Sequence, residues 1–122
     1  MTNNKYHHYS WEDFGKDALI LIDQLKSLEK KFNGVFGPPR GGLPLGVMIS
    51  HHLGIPLLAN PIDEHTLIVD DIADTGKTLE KFKDKNFIVT LFYHEQSIVV
   101  PDIWIKEKKD IWITFPWEKL SK

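Results

Sequence analysis

The stretch that decides the fold reads Leu67-Ile68-Val69-Asp70-Asp71-Ile72-Ala73-Asp74-Thr75-Gly76-Lys77-Thr78. Its β-branched and apolar beginning, residues 66–70, predicts a buried strand that ends in two adjacent carboxylates. A third carboxylate, Asp74, follows three residues later. The last four residues are expected to open a short helix over residues 78–84, where backbone N–H groups and two hydroxyls suit a phosphate. The stretch therefore predicts a strand, an acidic loop over residues 71–76 and a phosphate-binding site.

The end of this stretch also matches part of another phosphate motif. Gly76-Lys77-Thr78 is how the P-loop of nucleoside-triphosphate-binding proteins ends. That motif needs a glycine five residues before Gly76, and the residue there is Asp71, whose charge would repel a triphosphate. We therefore exclude a P-loop. A plain helix N-terminus with Asp74 and Thr75 as capping residues is the structural alternative.

Helices and strands alternate around this stretch. Helices are predicted at residues 11–31 and 43–53, the first with Ser10 as its N-cap and Asp13 completing a capping box. Strands are predicted at residues 35–36, 55–58, 66–70, 87–93, 103–105 and 111–114, and residues 5–10 are expected to form a loosely held arm. This order predicts an α/β fold with a mainly parallel sheet flanked by helices. Ligands of such sheets bind beyond the carboxyl ends of the strands. The two polar loops, residues 38–42 and 70–78, are predicted to lie at that edge of the sheet.

Length and composition limit the possible functions. The 122 residues predict a single domain over residues 1–122. Hydrophobic residues make up 42% and charged residues 26%, which is globular composition, and the lack of cysteine excludes disulfides and thiolate metal sites. The net charge of -2 gives no basic excess for nucleic acid or an anionic membrane. No secretory signal or membrane span is visible, so we expect a cytoplasmic protein.

A phosphate site beside two acids that can bind neighbouring hydroxyls fits a ribose 5-phosphate. Residues 67–79 resemble the motif with which type I phosphoribosyltransferases bind 5-phosphoribosyl 1-pyrophosphate (PRPP): a hydrophobic strand, two acids, a short spacer and Thr-Gly-Gly/Lys-Thr. The rest of the chain is similar in blocks to the short bacterial xanthine-guanine phosphoribosyltransferases. The blocks are Tyr9-Ser10-Trp11-Glu12-Asp13, Pro39-Arg40-Gly41-Gly42-Leu43, Leu53-Gly54-Ile55-Pro56, Asp110-Ile111-Trp112-Ile113 and Pro116-Trp117-Glu118. The resemblance implies their fold, with a small C-terminal segment that binds the base.

The resemblance also implies an enzyme, a glycosyltransferase of purine salvage. It would transfer ribose 5-phosphate from PRPP to a 6-oxopurine (hypoxanthine, guanine or xanthine), release pyrophosphate and yield a nucleoside monophosphate. Members that act on 6-oxopurines carry an acid at the position of Asp74. This acid would accept a proton near N7 of the purine and stabilise the oxocarbenium-like carbon. Asp70 and Asp71 would hold the ribose hydroxyls directly or through Mg²⁺, the implied cofactor.

Further substrate-binding residues follow from the same resemblance. Arg40 would bind the pyrophosphate, Trp112 would stack on the purine, and the backbone of Ile113 would read the edge of the base. The full implied set comprises Arg40, Gly41, Asp70, Asp71, Ala73, Thr75, Gly76, Lys77, Thr78, His94, Trp112 and Ile113. Relatives often have a cis peptide in the Arg-Gly-Gly loop, and the sequence leaves open whether Pro39 or Arg40 carries one here.

Two positions depart from the pattern of the family. Relatives place a lysine after the strand at 87–93 to contact the 6-oxo group, whereas here the position is His94, which could donate that hydrogen bond or be a surface histidine. Relatives also insert a long closing loop before the PRPP strand. Only residues 59–65 connect the strands here, too few for a lid that excludes water. The charged run over residues 106–110 predicts a solvated turn.

The shortened loop keeps two further functions open. One is a PRPP- or nucleotide-binding regulatory module that has the same fold and does not catalyse. A weaker alternative is a non-catalytic assembly partner. The sequence does not give the number of subunits. Relatives are commonly oligomeric, so we expect a homo-oligomer in which Trp104 and Trp117 are structural or interfacial residues.

Overall fold

Two parallel sheets and two helices organise residues 6–118, the part of the chain that the computed structural model describes. The elements in chain order are β1 (Tyr6–His8), α1 (Trp11–Ser27), β2 (Gly34–Phe36), α2 (Leu43–Leu53), β3 (Thr66–Ala73), a 3-10 turn (Glu80–Phe82), β4 (Ile88–His94), β5 (Ile103–Lys108) and β6 (Trp112–Thr114). β2, β3, β4 and β5 form one parallel sheet in that order, and β1 pairs in parallel with β6. The predicted α/β fold with a mainly parallel, helix-flanked sheet is confirmed.

Apolar side chains cover both faces of the four-stranded sheet. The larger core cluster joins the sheet to α1 and α2 and includes Leu21, Ile49, Leu67, Val69 and Leu91. A second cluster contains Phe36, Ile68, Leu79, Phe82 and Val99. Alternate residues of β3 fall in different clusters because successive side chains of a strand point to opposite faces. Burial on both faces explains why residues 67–69 of this strand are all apolar. In residues 6–118, neither helix combines the length and apolar character that crossing a bilayer requires.

α1 begins at a local network of hydrogen bonds. The Oγ atom of Ser10 accepts from the backbone N–H of Asp13 at 3.0 Å, and the carboxylate of Asp13 accepts from the backbone N–H of Ser10 at 3.1 Å. The predicted capping box is therefore confirmed, and these bonds lower the pKa of Asp13. The helix ends earlier than the predicted residue 31. Leu28 leaves it with an extended backbone, and Phe32 packs against Phe87, with ring centroids 5.8 Å apart.

The segment before α1 is ordered, so the predicted loose arm is wrong for its described part, residues 6–10. β1 pairs with β6, which places His8 opposite Thr114. Tyr9 is only 1% exposed, and its hydroxyl donates to the carboxylate of Asp17 at 2.6 Å. Burial and then this carboxylate raise the pKa of Tyr9. Nζ of Lys106 lies 3.3 Å from the same carboxylate. The segment therefore ties the C-terminal strand to α1.

The region around α2 follows the prediction with one exception. The helix has the predicted bounds, and Gly54 ends it with φ of 68°, a left-handed conformation that glycine adopts at little cost. The strand predicted at residues 55–58 is a single parallel bridge between Leu57 and Val35. Pro56 accepts a hydrogen bond from the backbone N–H of Val35 at 2.9 Å. Because proline has no N–H to donate, the pairing does not extend into a ladder.

The stretch that opened the sequence analysis begins its strand at Thr66, as predicted, but differs from the prediction in two places. β3 continues to Ala73 instead of ending at residue 70, so Asp70 and Asp71 both lie within the strand. The helix predicted at residues 78–84 is one 3-10 turn, Glu80–Phe82. Phe82 turns its ring into the second core cluster, 6.0 Å from the ring of Phe36. The backbone then leaves helical geometry, because Lys83 has ψ of 136° and Asp84 has φ of 61°.

Candidate functional site

The paired acids Asp70 and Asp71 lie buried near the carboxyl end of β3, 8% and 9% exposed. The backbone N–H of Asp71 donates to Oδ1 of Asp70 at 2.9 Å. Burial, and then repulsion between the two carboxyls, raises the pKa of Asp70, and burial also raises that of Asp71. None of the ion pairs formed by residues 6–118 includes either acid. The pair therefore lacks a cationic side-chain partner.

These acids suit a hard divalent cation. Mg²⁺ prefers oxygen ligands and takes few of them from the protein, completing its shell with substrate phosphates and water. No group of three or more potential metal-ligating side chains lies together within the described part of the chain. Asp70 and Asp71 thus fit an ion that is held jointly with a substrate, and they do not form a complete cage.

The Arg-Gly-Gly loop lies directly against this acid pair. A Cβ atom on Gly41 would come within 2.6 Å of Oδ2 of Asp71, so only glycine lets the loop backbone approach the carboxylate this closely. The peptide bond between Pro39 and Arg40 is cis, which answers the question that the sequence left open. The side chain of Arg40 is exposed at the edge of the groove described below. The structure thus brings the two predicted loops together.

Asp74 follows β3 and is held by three side chains. Its Oδ1 lies 2.9 Å from Nδ1 of His94 and 3.3 Å from Nε2 of Gln96. Its Oδ2 accepts from Nζ of Lys108 at 3.2 Å. Partial burial alone would raise the pKa of Asp74, but the bonds from His94 and Lys108 outweigh it and lower that pKa. Asp74 is therefore an ionised carboxylate, suited to accept a proton or to stabilise positive charge.

Sequence reasoning did not single out Lys108 or Gln96. The solvated turn predicted at residues 106–110 is wrong over its first half, because residues 106–108 belong to β5. Parallel register places Lys108 beside His94 at the carboxyl ends of neighbouring strands. A short edge strand with alternating charges reads as a turn in the sequence, and only the register reveals that this lysine reaches Asp74.

The loop predicted to bind a phosphate, residues 75–78, is not followed by the helix that the sequence predicted. A single 3-10 turn carries no helix dipole of consequence, so the expected contribution of a helix N-terminus is lost. Thr75, Lys77 and Thr78 remain exposed, and the backbone N–H of Lys77 donates to Oγ1 of Thr75 at 3.3 Å. Gly76 has φ of 87°, and a Cβ there would lie 2.6 Å from Oγ of Ser97. Backbone N–H groups and hydroxyls are the donors that the loop offers to an anion.

An open groove of about 1220 Å³ connects the Arg-Gly-Gly loop to the C-terminal segment. Arg40, Gly41 and Trp112 line it. Trp112 is 60% exposed, whereas its neighbour Ile113 is buried. Nζ of Lys108 lies 5.6 Å from the centre of the Trp112 ring, which links the groove to Asp74. An exposed indole beside a groove offers a flat surface on which a planar ring can stack.

The two other C-terminal tryptophans differ in their surroundings. Trp117 stacks on Phe115 with ring centroids 5.2 Å apart and also contacts Phe14. Its position in this aromatic cluster makes it a structural residue. Trp104 lies 5.2 Å from the Tyr93 ring and is 38% exposed.

The short connector before β3 is fixed at the far end of the sheet. Nδ2 of Asn33 donates to Oδ1 of Asp63 at 2.8 Å, and Nδ2 of Asn86 donates to the carbonyl of Asp63 at 2.9 Å. The eight residues of β3 separate this connector from Asp74, a distance of about 23 Å for an extended strand. Residues 59–65 therefore do not cover the site, as the sequence predicted.

The comparisons with known proteins agree on one fold. No model of a known protein family matches the chain. Two relatives named xanthine-guanine phosphoribosyltransferase are each 27% identical to this chain. The alignment with the relative from Chromohalobacter salexigens covers 97% of this chain and 89% of the relative. The alignment with the relative from Desulfotalea psychrophila covers 93% of this chain and 86% of the relative. A solved purine phosphoribosyltransferase from Pyrococcus horikoshii superposes with a TM-score of 0.82 at 28% identity and 97% coverage of both chains. The xanthine-guanine-hypoxanthine phosphoribosyltransferase of Helicobacter pylori superposes with a TM-score of 0.76 at 25% identity, covering 90% of this chain and 92% of its own.

The fold and the acidic motif together are those of the type I phosphoribosyltransferases, which confirms the resemblance predicted from the sequence. Within that class, the chain is similar to the purine enzymes, and in particular to proteins named xanthine-guanine phosphoribosyltransferase. The alignment with the Chromohalobacter relative spans 146 positions, more than the 122 residues of this chain, so the relative carries residues that this chain lacks.

Proposed function

We propose that the protein transfers ribose 5-phosphate from PRPP to a 6-oxopurine. The observation that carries this proposal is the ionised Asp74, which is held by His94 and by Lys108, whose Nζ also lies 5.6 Å from the centre of the Trp112 ring. The relatives named above act on purines by their names, which supports the same assignment. A bond forms between a ring nitrogen of the base and C1′ of the ribose. The bond from C1′ to oxygen breaks, and pyrophosphate leaves with its electron pair.

Asp74 is the proposed catalytic residue. Its carboxylate accepts the proton that the base loses near N7, and it stabilises the positive charge that develops at C1′ as pyrophosphate departs. His94 and Lys108 hold the two carboxylate oxygens in place. A carboxylate whose position is fixed before the reaction contributes more than a mobile one, because no reorganisation accompanies the charge change.

The acid pair and the two loops bind PRPP in this proposal. Asp70 and Asp71 hold the ribose hydroxyls, either directly or through Mg²⁺. When bound, the ion supplies positive charge that helps the pyrophosphate to leave. Arg40 and the backbone at Gly41 bind the pyrophosphate. The remaining residues of the proposed PRPP site bind the 5-phosphate: Ala73, Thr75, Gly76, Lys77 and Thr78.

The base lies on Trp112 in this proposal, and the backbone of Ile113 reads its edge. The exposed indole and the open groove support that position. The acceptor is hypoxanthine, guanine or xanthine, and the product is the nucleoside monophosphate. We also propose that residues 1–122 act as one domain, as a homo-oligomer in the cytoplasm.

The test is a direct assay with each base. Purified protein is incubated with PRPP, Mg²⁺ and one of hypoxanthine, guanine, xanthine or adenine, and nucleotide and pyrophosphate are quantified. The proposal expects nucleotide from at least one 6-oxopurine and less from adenine. No nucleotide from any base would overturn it.

A regulatory module that binds PRPP or a nucleotide without turnover is the second candidate. The fixed connector over residues 59–65 favours it, because nothing in the described part of the chain closes over Asp74. Saturable binding of PRPP or a nucleoside monophosphate, with no product from any base, would establish this alternative.

A further inference from the structure

The turn that connects β4 to β5 packs against the loop that follows β3. The backbone N–H of Ile98 donates to the carbonyl of Thr75 at 2.9 Å. A Cβ atom on Gly76 would lie 2.6 Å from Oγ of Ser97 and 2.8 Å from the backbone nitrogen of Val99, so glycine is what lets the two segments approach this closely. The turn is therefore in direct contact with the loop of the proposed 5-phosphate site.

Ser97 fixes the conformation of this turn. Its hydroxyl donates to the carbonyl of Val99 at 2.7 Å and accepts from the backbone N–H of the same residue at 3.1 Å. These two bonds span Ile98, the residue that donates to the adjacent loop. Ser97 is only 8% exposed, and Val99 is buried in the second core cluster together with Leu79. Ser97 therefore ties the backbone of Ile98 to the core of the protein.

The same turn also contacts the proposed catalytic carboxylate. Nδ1 of His94 lies 2.9 Å from Oδ1 of Asp74, and Nε2 of Gln96 lies 3.3 Å from the same oxygen. The backbone N–H of Ser97 donates to the carbonyl of His94 at 2.8 Å, which connects these contacts to those of the hydroxyl. One short turn thus contacts three consecutive residues of the loop, from Asp74 to Gly76.

The loop depends on such contacts because a 3-10 turn, Glu80–Phe82, follows it in place of the predicted α-helix. Backbone N–H groups bind a phosphate well when they already converge on one point before the ligand arrives. A loop that the ligand must first order binds more weakly, since the conformational entropy lost on ordering reduces the affinity. The turn between β4 and β5 is the neighbouring element whose contacts can hold the loop in a single conformation.

We propose that Ser97 is a positioning residue for phosphate binding: it holds the turn between β4 and β5 against the loop over residues 75–78, and so keeps that loop in the conformation that binds the 5-phosphate of a phosphoribosyl ligand. Ser97 itself does not touch the ligand. The inference rests on the proposed function, because the loop is the proposed 5-phosphate site. Loss of the hydroxyl weakens ligands that carry a 5-phosphate and spares pyrophosphate.

The test compares two ligands that use different parts of the site. Ribose 5-phosphate carries the 5-phosphate, whereas pyrophosphate is proposed to bind Arg40 and the backbone at Gly41. Ser97→Ala removes the hydroxyl with little change in volume. We expect its affinity for ribose 5-phosphate to fall roughly 3- to 10-fold, the range for the loss of a neutral hydrogen bond, and its affinity for pyrophosphate to stay unchanged. Calorimetric titration of each ligand in the presence of Mg²⁺ measures both.

Two further variants control this comparison. Ser27→Ala makes the same chemical change at an exposed position of α1, where the hydroxyl donates to the carbonyl of Gln24 at 2.7 Å, and should leave both affinities unchanged. Arg40→Met should show the reverse pattern, with a loss for pyrophosphate that exceeds the loss for ribose 5-phosphate.

Ile98→Pro tests the same contact from the backbone. It removes the N–H that donates to the carbonyl of Thr75, while the side chain of Ile98 is 46% exposed. We expect the same selective loss of affinity for ribose 5-phosphate, and this variant replaces Ser97→Ala if thermal unfolding shows that the latter does not fold.

The outcomes separate this inference from the proposed function. Equal losses for the two ligands, or no loss for either, would overturn the inference, and so would a wild-type protein that does not bind ribose 5-phosphate. A selective loss in a protein that makes no nucleotide from any base would support the positioning role of Ser97 and overturn only the transfer reaction.

Discussion

The carboxylate of Asp74 takes its chemical character from its neighbours. Partial burial favours the protonated form, whereas hydrogen bonds from His94 and Lys108 favour the charged form and lower its pKa. Buried acids without a cationic partner behave in the opposite way, as Asp70 and Asp71 show. Acids that lie within four residues of one another therefore have pKa values shifted in opposite directions, which suits the different tasks proposed for them: Asp74 as a proton acceptor, and Asp70 and Asp71 as partners of a cation or of the ribose hydroxyls.

Replacing Asp74 with asparagine separates catalysis from binding. Asp74→Asn keeps the shape of the side chain but removes the proton acceptor, so we expect kcat to fall by about 100-fold or more while PRPP still binds. Turnover assays and calorimetric titration with PRPP measure the two effects. The control is Asp23→Asn, an exposed position on α1. Equal losses of PRPP binding and turnover would show that Asp74 is structural.

At the scale of elements, the site depends on a loop that packs against a strand. Gly41 follows β2 in sequence, and Asp71 belongs to β3, yet the loop backbone and the carboxylate are in contact. The parallel pairing of β2 with β3 explains this contact between Gly41 and Asp71, because the carboxyl ends of the two strands lie at the same edge of the sheet.

Two glycine substitutions test this contact. In Gly41→Ala, the new methyl group would lie 2.6 Å from Oδ2 of Asp71, so the loop or the acid must shift, and we expect PRPP affinity to fall about tenfold or more. In Gly15→Ala, nothing lies within 4 Å of the new methyl group. This position is inside α1, so alanine should stabilise the fold by about 0.5–1 kcal/mol and leave PRPP binding unchanged. Similar PRPP affinities for the two variants would contradict the contact.

The elements that the sequence predicted well are those with local causes. The capping box at Ser10, the bounds of α2 and the start of β3 at Thr66 all follow from residues that are close in sequence. β1 and the lysine at the end of β5 were missed, because each depends on a strand distant in sequence. Tyr6–His8 gains order only by pairing with β6, and Lys108 reaches Asp74 only through its register with β4. The helix predicted at residues 78–84 failed for the same reason, since burial of Phe82 outweighs local helix propensity.

At the scale of the whole molecule, residues 6–118 leave the site open. The connector over residues 59–65 is held by Asn33 and Asn86 at the opposite end of β3, and the groove beside Trp112 reaches solvent. Water therefore has access to the place where an oxocarbenium-like carbon would form. Enzymes that close over such a centre exclude this competing nucleophile.

This openness predicts a side reaction. Without a purine, the protein is expected to hydrolyse PRPP slowly to ribose 5-phosphate and pyrophosphate, because water replaces the base at C1′. Pyrophosphate release with and without hypoxanthine, measured alongside the Asp74→Asn variant, quantifies it. Pyrophosphate that appears only when nucleotide is formed would contradict the open site.

The central claim is that this short chain makes a purine nucleotide, and the formation of inosine monophosphate tests it most directly. Wild-type protein with PRPP, Mg²⁺ and hypoxanthine should yield inosine monophosphate and pyrophosphate in equal amounts, apart from the pyrophosphate released by hydrolysis. Removing Mg²⁺ with a chelator should abolish both products. If neither hypoxanthine, guanine nor xanthine gives a nucleotide under these conditions, the account of Asp74 as a catalytic residue is contradicted.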